Sequence, residues 1–195
     1  MFSDLVTRCR SVRRFCEDQP IEKDVLRSLV TLARFAASGG NLQSTRYLLS
    51  NEKRRNADIF ACLKWAGYLS DWDGPEVGEQ PAAYIVMLSP VKGGSDTDIG
   101  IQAQTMLLGA AELGIGGCML GAIDREKLSA LLPVPEGYRV ALVLALGYPH
   151  ETIVIDDIRA SESIRYYRDE NDVHHVPKIV ADDLILGTFF AEDRQ

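Results

Sequence analysis

The densest run of hydrophobic positions lies at residues 98–121, DIGIQAQTMLLGAAELGIGGCMLG. Ile99, Ala103, Met106, Leu107, Ala110 and Leu113 recur at helical spacing, which predicts a helix over 99–113 with Asp98 as its N-cap. The opposite side is scarcely more polar, with Ile101, Leu108, Gly109 and Ala111. A helix that is apolar nearly all round has no solvent face, so the pattern implies enclosure by the fold, by a partner chain, or by both. The span is too short for a bilayer and is interrupted by Gln102, Gln104 and Glu112. Gly114 supplies a left-handed stop, and Gly116-Gly117 leads into a short apolar strand at 118–120.

Around this centre the pattern alternates between the two periods. Helices are expected at 2–8, at about 22–37 (Val25, Leu26, Leu29, Val30 and Ala33 on one face), at 57–65, after a capping Asp124 to residue 131, and at 180–186. Strands are expected at 46–49, at 81–88 (PAAYIVML) and at 140–146 (VALVLAL), the last two apolar enough to be buried on both faces. Residues 51–56 read as charged and exposed. A hairpin is predicted from 164–168 and 173–176 about a polar turn at 169–172, with Pro177-Lys178 before the last helix. Residues 66–80 form a long Gly- and acid-rich excursion carrying Tyr68 and Trp72, which reads equally as a lid or as a surface loop with a buried Trp.

A chain of 195 residues with 46% hydrophobic and 25% charged content is that of one ordinary globular domain, taken here as 1–195 with a C-terminal extension at 150–195. The net charge of −7 and the lack of a basic block argue against nucleic acid and against a polybasic membrane anchor. No export signal is legible in MFSDLVTRCRSVRRF, and Cys9, Cys16, Cys62 and Cys118 form no CxxC pair, so free thiols in the cytoplasm are expected.

Two stretches suggest chemistry. Four arginines fall within residues 8–14 beside Ser11, a set of guanidinium forks and a hydroxyl that suits an oxyanion or, equally, a solvated face. Ser38-Gly39-Gly40-Asn41 lets backbone and amide approach a flat heteroaromatic ring, or simply connects a helix to a strand. There is no GxSxG elbow, HExxH or P-loop. The run GIGGCM follows a helix and has Met119 where a dinucleotide fingerprint needs glycine. His174 and His175 are adjacent and would point to opposite faces of a strand, and His150 stands alone, so no metal site is expected. An enzyme built this way needs a cofactor to carry the hard chemistry.

Arg10-Ser11-Val12-Arg13-Arg14-Phe15 resembles the opening RRSxRxF of the nitroreductase family, and ASGGNLQ at 37–43 resembles its PSxxNxQP. Residues 98–121 are similar to the family's central segment, and Leu146-Gly147-Tyr148-Pro149 matches its LGYP. The four motifs keep the family's order across residues 8–149, and the end of the chain resembles a shorter-tailed branch. The resemblance implies an α+β, three-layer α/β/α fold with a central, mostly antiparallel sheet. It also implies a homodimer holding FMN at the interface, with more than ~2,000 Å² buried in total. Arg10 and Ser11 would hold phosphate and ribityl oxygens, and Arg13 would stabilise charge at the ring. Ser38, Gly39 and Asn41 would reach the flavin from the other subunit. Leu120 and Gly121 would offer backbone, and Lys178 would close on the phosphate. Tyr68 and Trp72 would cover a small organic acceptor. The implied activity is ping-pong transfer from NAD(P)H through FMN to a nitroaromatic or quinone-like acceptor. The alternatives are other flavin chemistry on the same fold, such as reductive dehalogenation or flavin breakdown, and non-catalytic FMN binding. The chain departs from the family at Cys9, where an arginine is usual, at Ala37, and at Ser44-Thr45. Without a ligand, Arg14 would pair with Glu17 or Asp18, and Lys178 would cap a carbonyl.

Overall fold

The computed structural model describes residues 1–191, which divide into two compact units, the first Met1–Glu151 and the second beginning at Thr152. The first holds an antiparallel sheet of order β1-β2-β4-β3, built from Arg46–Ser50, Ala83–Pro90, Tyr138–Gly147 and Gly116–Leu120. Five helices surround it: α1 (Phe2–Arg8), α2 (Lys23–Arg34), α3 (Lys53–Phe60), α4 (Asp96–Glu112) and α5 (Arg125–Leu131). Because side chains alternate across a strand, Ile85, Met87, Leu144 and Leu146 face one way and join Leu26, Leu29, Ala103, Met106 and Ala110 of α2 and α4 in the main core. α3 and α5 pack on β2 and β4, and Leu128 of α5 is fully buried. This is the expected α+β arrangement with helices on both faces of a central antiparallel sheet.

Several boundaries differ from the sequence pattern, each for a local reason. The central helix begins at Asp96, not at 99, and Ser95 rather than Asp98 is its N-cap, its hydroxyl accepting from the Asp98 N–H at 3.1 Å. Asp98 is instead buried at 4% exposure. α2 stops at Arg34, three residues short of the expected end, where Phe35 and Ala36 turn back onto Leu32 and Ala33. α3 starts at Lys53, inside the stretch read as merely charged, because the Glu52 carboxylate accepts from Arg54 and Arg55 N–H groups. It ends at Phe60, and Leu63 forms a bridge with Ile123 instead of continuing the helix to 65.

The second unit contains β5 (Ile153–Ile158), which the pattern did not predict, parallel to β7 (His174–Ile179), with β6 (Tyr167–Arg168) antiparallel on the other side. The hairpin is therefore shorter in its first strand and longer in its second than expected. Pro177 and Lys178 belong to β7 rather than to a linker. Pro177 is tolerated because β6 pairs only with His174 and His175, leaving that side of β7 open beyond them. The last helix, α6, covers Ala181–Leu184. Among the described residues, no helix is long and apolar enough to cross a membrane.

Candidate functional site

The arginine-rich run is extended and lies against the ends of two strands. After α1 ends at Arg8, Ser11 bridges Gly117 of β3 in parallel, and Val12 N–H donates to the Gly117 carbonyl at 3.0 Å. Phe15 bridges Pro149 beyond β4, and Cys16 N–H donates to Tyr148 O at 2.8 Å. Val12 and Phe15 are buried, at 5% and 0% exposure, and carry the run into the core while Arg13 and Arg14 stay half-buried. Close approach is possible because two facing residues are glycines. A Cβ on Gly116 would stand 2.6 Å from Val12 Cγ2, and one on Gly147 would stand 2.7 Å from Phe15 Cδ1.

The arginines of this run have distinct surroundings. Arg10 Nη2 donates to Val6 O at 2.7 Å, while its Nε is buried without a hydrogen-bond partner among the described residues. The residue borders a cleft of about 180 Å³ with Cys9, Gly116 and Gly117. A buried guanidinium donor left open beside a glycine-lined cleft fits a phosphate oxygen. Arg13 Nη1 reaches Ser11 O at 3.2 Å. The backbone N–H groups of Arg13 and Arg14 both donate to Glu151 Oε1. Arg14 pairs with Glu79 at 3.2 Å, not with Glu17 or Asp18, and its guanidinium lies 5.9 Å from the Trp72 ring centroid. Glu17 instead accepts from the Gly78 and Gln80 N–H groups, so the far end of the 66–80 excursion is tied to the arginine run. Within that excursion Tyr68 is 44% exposed and Trp72 half-buried; the fully packed Trp is Trp65.

Leu120 ends β3 and is buried; Gly121 follows it, exposed, with open space where a Cβ would be. Both continue the strand that Ser11 meets at Gly117, so Arg10, Ser11, Arg13, Leu120 and Gly121 share one edge of the first unit. Beneath them Cys118 is buried, and burial pushes its thiol up, with Arg13 opposing and Glu151 reinforcing the shift. Cys9 closes α1, and its sulfur accepts from Gln104 Nε2 at 3.7 Å. A thiol there supplies none of the donors an arginine would.

Ser38, Gly39 and Asn41 lie elsewhere. The Ser38 hydroxyl donates to Asp98 at 2.6 Å, and the Gly39 N–H donates to the same carboxylate at 3.2 Å. These bonds, with Ser95, hold the Asp98 carboxyl below its usual range. The turn contains three left-handed residues, Gly40 (φ 55), Asn41 (φ 54) and Gln43 (φ 46), a conformation that needs such anchoring. Asp98 stands in the first turn of α4, whereas the cleft beside Arg10 is lined by Ala111 and Gly114 at the other end, so the two candidate walls lie toward opposite ends of α4. Lys178 is exposed on β7 of the second unit, opposite Asp157 in the parallel register. Among the described residues no cluster of metal-ligating side chains is present.

Sequence reasoning missed Glu151 and misread Asp98. Glu151 acts across 138 positions of sequence, so no local signal reports it. Asp98 sits at the polar edge of the apolar stretch, after Ser95-Asp96-Thr97, where an acid reads as an ordinary helix start.

Three comparisons bear on this arrangement. The chain is 24% identical over 168 residues to the iodotyrosine deiodinase of Thermotoga neapolitana, covering 77% of this chain and 90% of that one. It is 26% identical over 151 residues to a protein of Archaeoglobus fulgidus provisionally named NADH dehydrogenase/NAD(P)H nitroreductase, covering 73% and 82%. Its fold matches the crystal structure of a nitroreductase with bound FMN from Desulfitobacterium hafniense at a TM-score of 0.61 and 24% identity, covering 77% and 90%. The model of the Nitroreductase family matches residues 6–68 and 93–148, which include the arginine run, the Ser38 turn, α4, β3 and β4. With more than half its length matched and its sheet and helices in that fold, the chain belongs to the nitroreductase family.

Proposed function

We propose that this protein is an FMN-dependent oxidoreductase, active as a homodimer, that passes reducing equivalents from NAD(P)H to a small nitroaromatic or quinone-like acceptor. The observation that carries the reading is the arginine run locked onto β3, with a buried Arg10 Nε open beside a cleft lined by Gly116 and Gly117. The bound flavin would supply the hydride chemistry. Arg10 and Ser11 hold its phosphate and ribityl oxygens, and exposed Lys178 adds a second cation for the phosphate. Arg13 brings a fixed positive charge to the ring edge where reduction places negative charge, and Glu151 fixes the backbone that carries it. Leu120 and Gly121 offer unobstructed backbone. Tyr68 and Trp72 cover the acceptor and exclude water, steadied by the Arg14–Glu79 pair.

The second subunit is needed because the Ser38 turn is anchored at the first turn of α4 while Arg10 lines a cleft at the other end of that helix within one chain. Exposed apolar side chains on the same unit, among them Phe2, Phe35, Leu42, Ile101 and Leu113, supply surface for such a contact. A cytoplasmic location accords with four unpaired cysteines. The absorption spectrum of the purified protein, followed by anaerobic mixing with NADH or NADPH, tests the proposal. A yellow protein bleached on a turnover timescale is expected; a colourless protein that ignores added FMN refutes it.

A second reading, reductive dehalogenation, is favoured by the similarity to the Thermotoga neapolitana deiodinase across 90% of that protein. Halide release from halogenated phenols under reducing conditions, with no reduction of nitroaromatics or quinones, would select it.

A further inference from the structure

A cavity of about 270 Å³ lies between α2, the Ser38 turn, the start of β1 and α4, away from the cleft beside Arg10. Its lining includes Arg34 and Arg46 and contains no aspartate or glutamate. That is unexpected in a chain with 28 acidic and 21 basic residues. Neither guanidinium has a carboxylate partner among the described residues. Arg34 lies 4.5 Å from the Phe35 ring centroid, and Arg46 uses only Nη1, donating to Gln43 O and Thr45 O.

Two further donors line the same cavity. Thr45 and Gln102 are more than nine-tenths buried, at 7% and 5% exposure. Gln102 accepts from the Tyr47 hydroxyl on Oε1 at 2.8 Å, which leaves its Nε2 amide without a partner among the described residues. The Thr45 hydroxyl likewise has none. Burial pushes the Tyr47 phenol up to about 12, so it stays neutral and keeps Gln102 oriented at physiological pH. Both residues line the cavity, so an acceptor held in it can meet these two donors. Asp98, which takes the hydroxyl of the lining residue Ser38, is also engaged by Gly39 and Ser95.

We propose that this cavity binds a small oxyanion, a carboxylate or a phosphate, between the Arg34 and Arg46 guanidinia and the Thr45 and Gln102 donors. Two planar forks and two fixed neutral donors suit a group with several acceptor oxygens. The proposal does not rest on the flavin reading and holds for a colourless preparation as for a yellow one.

The test is calorimetric titration of the full chain with sodium phosphate and, separately, sodium benzoate at constant ionic strength in chloride. Each is repeated in Arg46→Gln, Arg34→Gln, Thr45→Val and, as a control for the other oxyanion candidate, Arg10→Gln. Saturable binding is expected that survives Arg10→Gln and weakens about tenfold, roughly 1.4 kcal/mol, in Arg46→Gln or Arg34→Gln. Thr45→Val, which deletes the hydroxyl at nearly constant volume, should weaken it severalfold. Tighter phosphate binding would identify a phosphate-bearing ligand, and tighter benzoate binding a carboxylate. Absence of saturable binding by either probe overturns the proposal. So does binding that the Arg34, Arg46 and Thr45 variants leave unchanged, or binding lost in Arg10→Gln alone.

Discussion

The hydroxyl of Ser38 donates to the carboxylate of Asp98 at 2.6 Å, joining the glycine-amide turn to the first turn of the central helix across sixty positions of sequence. The same carboxylate takes the Gly39 N–H, and the Ser38 oxygen accepts from Gln43 N–H at 3.0 Å, so one acid organises the left-handed backbone between them. Asp98→Asn keeps the size but loses the charged acceptor. It should weaken FMN retention severalfold and lower Tm by a few degrees, read by flavin fluorescence and thermal melts. The Ser38 hydroxyl, then Gly39 and Ser95, lower the Asp98 pKa in the folded state. The stability this gives is therefore present above the unfolded carboxyl pKa of about 3.9 and is lost as pH falls through the lower folded value. The acid limb of the Tm–pH curve should flatten in the variant.

Glu151 holds the backbone of Arg13 and Arg14. Glu151→Ala should cost about 1.5–3 kcal/mol, because two N–H groups lose a charged acceptor. Glu151→Gln restores the acceptor without the charge. It should recover most of the stability in denaturant melts while raising the flavin midpoint potential, since a negative charge near Arg13 is gone.

Arg13→Ala should act on that potential with the opposite sign. Without the fixed cation the reduced state loses stabilisation, so the midpoint falls and FMN is retained less well. Lys178→Ala should weaken FMN more than riboflavin, because its proposed contact is the phosphate. Equal weakening of the two ligands would remove Lys178 from the site.

Gly147→Ala would bring a methyl within 2.7–2.9 Å of three Phe15 carbons. Phe15 is fully buried and cannot swing away, so the arginine run must shift. The expected cost is about 1–3 kcal/mol, with a loss of FMN binding out of proportion to the loss of stability. Gly121→Ala, with nothing within reach of its Cβ, should leave stability nearly unchanged.

In the second unit, His175 Nδ1 meets Asp156 at 2.9 Å, its Nε2 lies 3.5 Å from Asp169, and its ring stacks on Tyr167 with centroids 4.7 Å apart. Burial acts to lower its pKa, but Asp156 and Asp169 together outweigh it and the net shift is upward. A raised histidine contributes stability that is complete below the unfolded value of about 6.5 and is lost as pH rises through the folded value. Protection factors in β5–β7, which correct exchange for its intrinsic base-catalysed rate, should therefore fall from mildly acidic to mildly alkaline pH. His175→Asn should remove that fall in protection.

Much of the fold was legible because the relevant signals are periodic and local. α1 runs over the predicted 2–8, Asp124 caps α5 through its side chain, and β2 and β4 overlap the two long apolar runs, β2 starting two residues later and β4 two residues earlier than expected. The arginine run and the Ser38 turn were legible as residue types in an order. Their supports were not, because Asp98 and Glu151 act through contacts 60 and 138 positions away. β5 was missed for a related reason. Its sequence, IVIDDI, alternates weakly, and its strand character comes from pairing in parallel with β7.

What the amino-acid order determined by itself is most of the elements, the family motifs and the chemistry on offer: guanidinia, a hydroxyl, and glycines with an amide. These follow from propensity, period and side-chain chemistry, which each residue carries wherever it sits. Only the tertiary structure decided which groups are already engaged. It gave Arg14 to Glu79 and Ser38 to Asp98, and among the described residues it left Arg10 Nε buried with no partner. The physical reason is that a hydrogen bond is set by distance in space, and chain folding brings together partners whose separation along the sequence carries no trace of the contact.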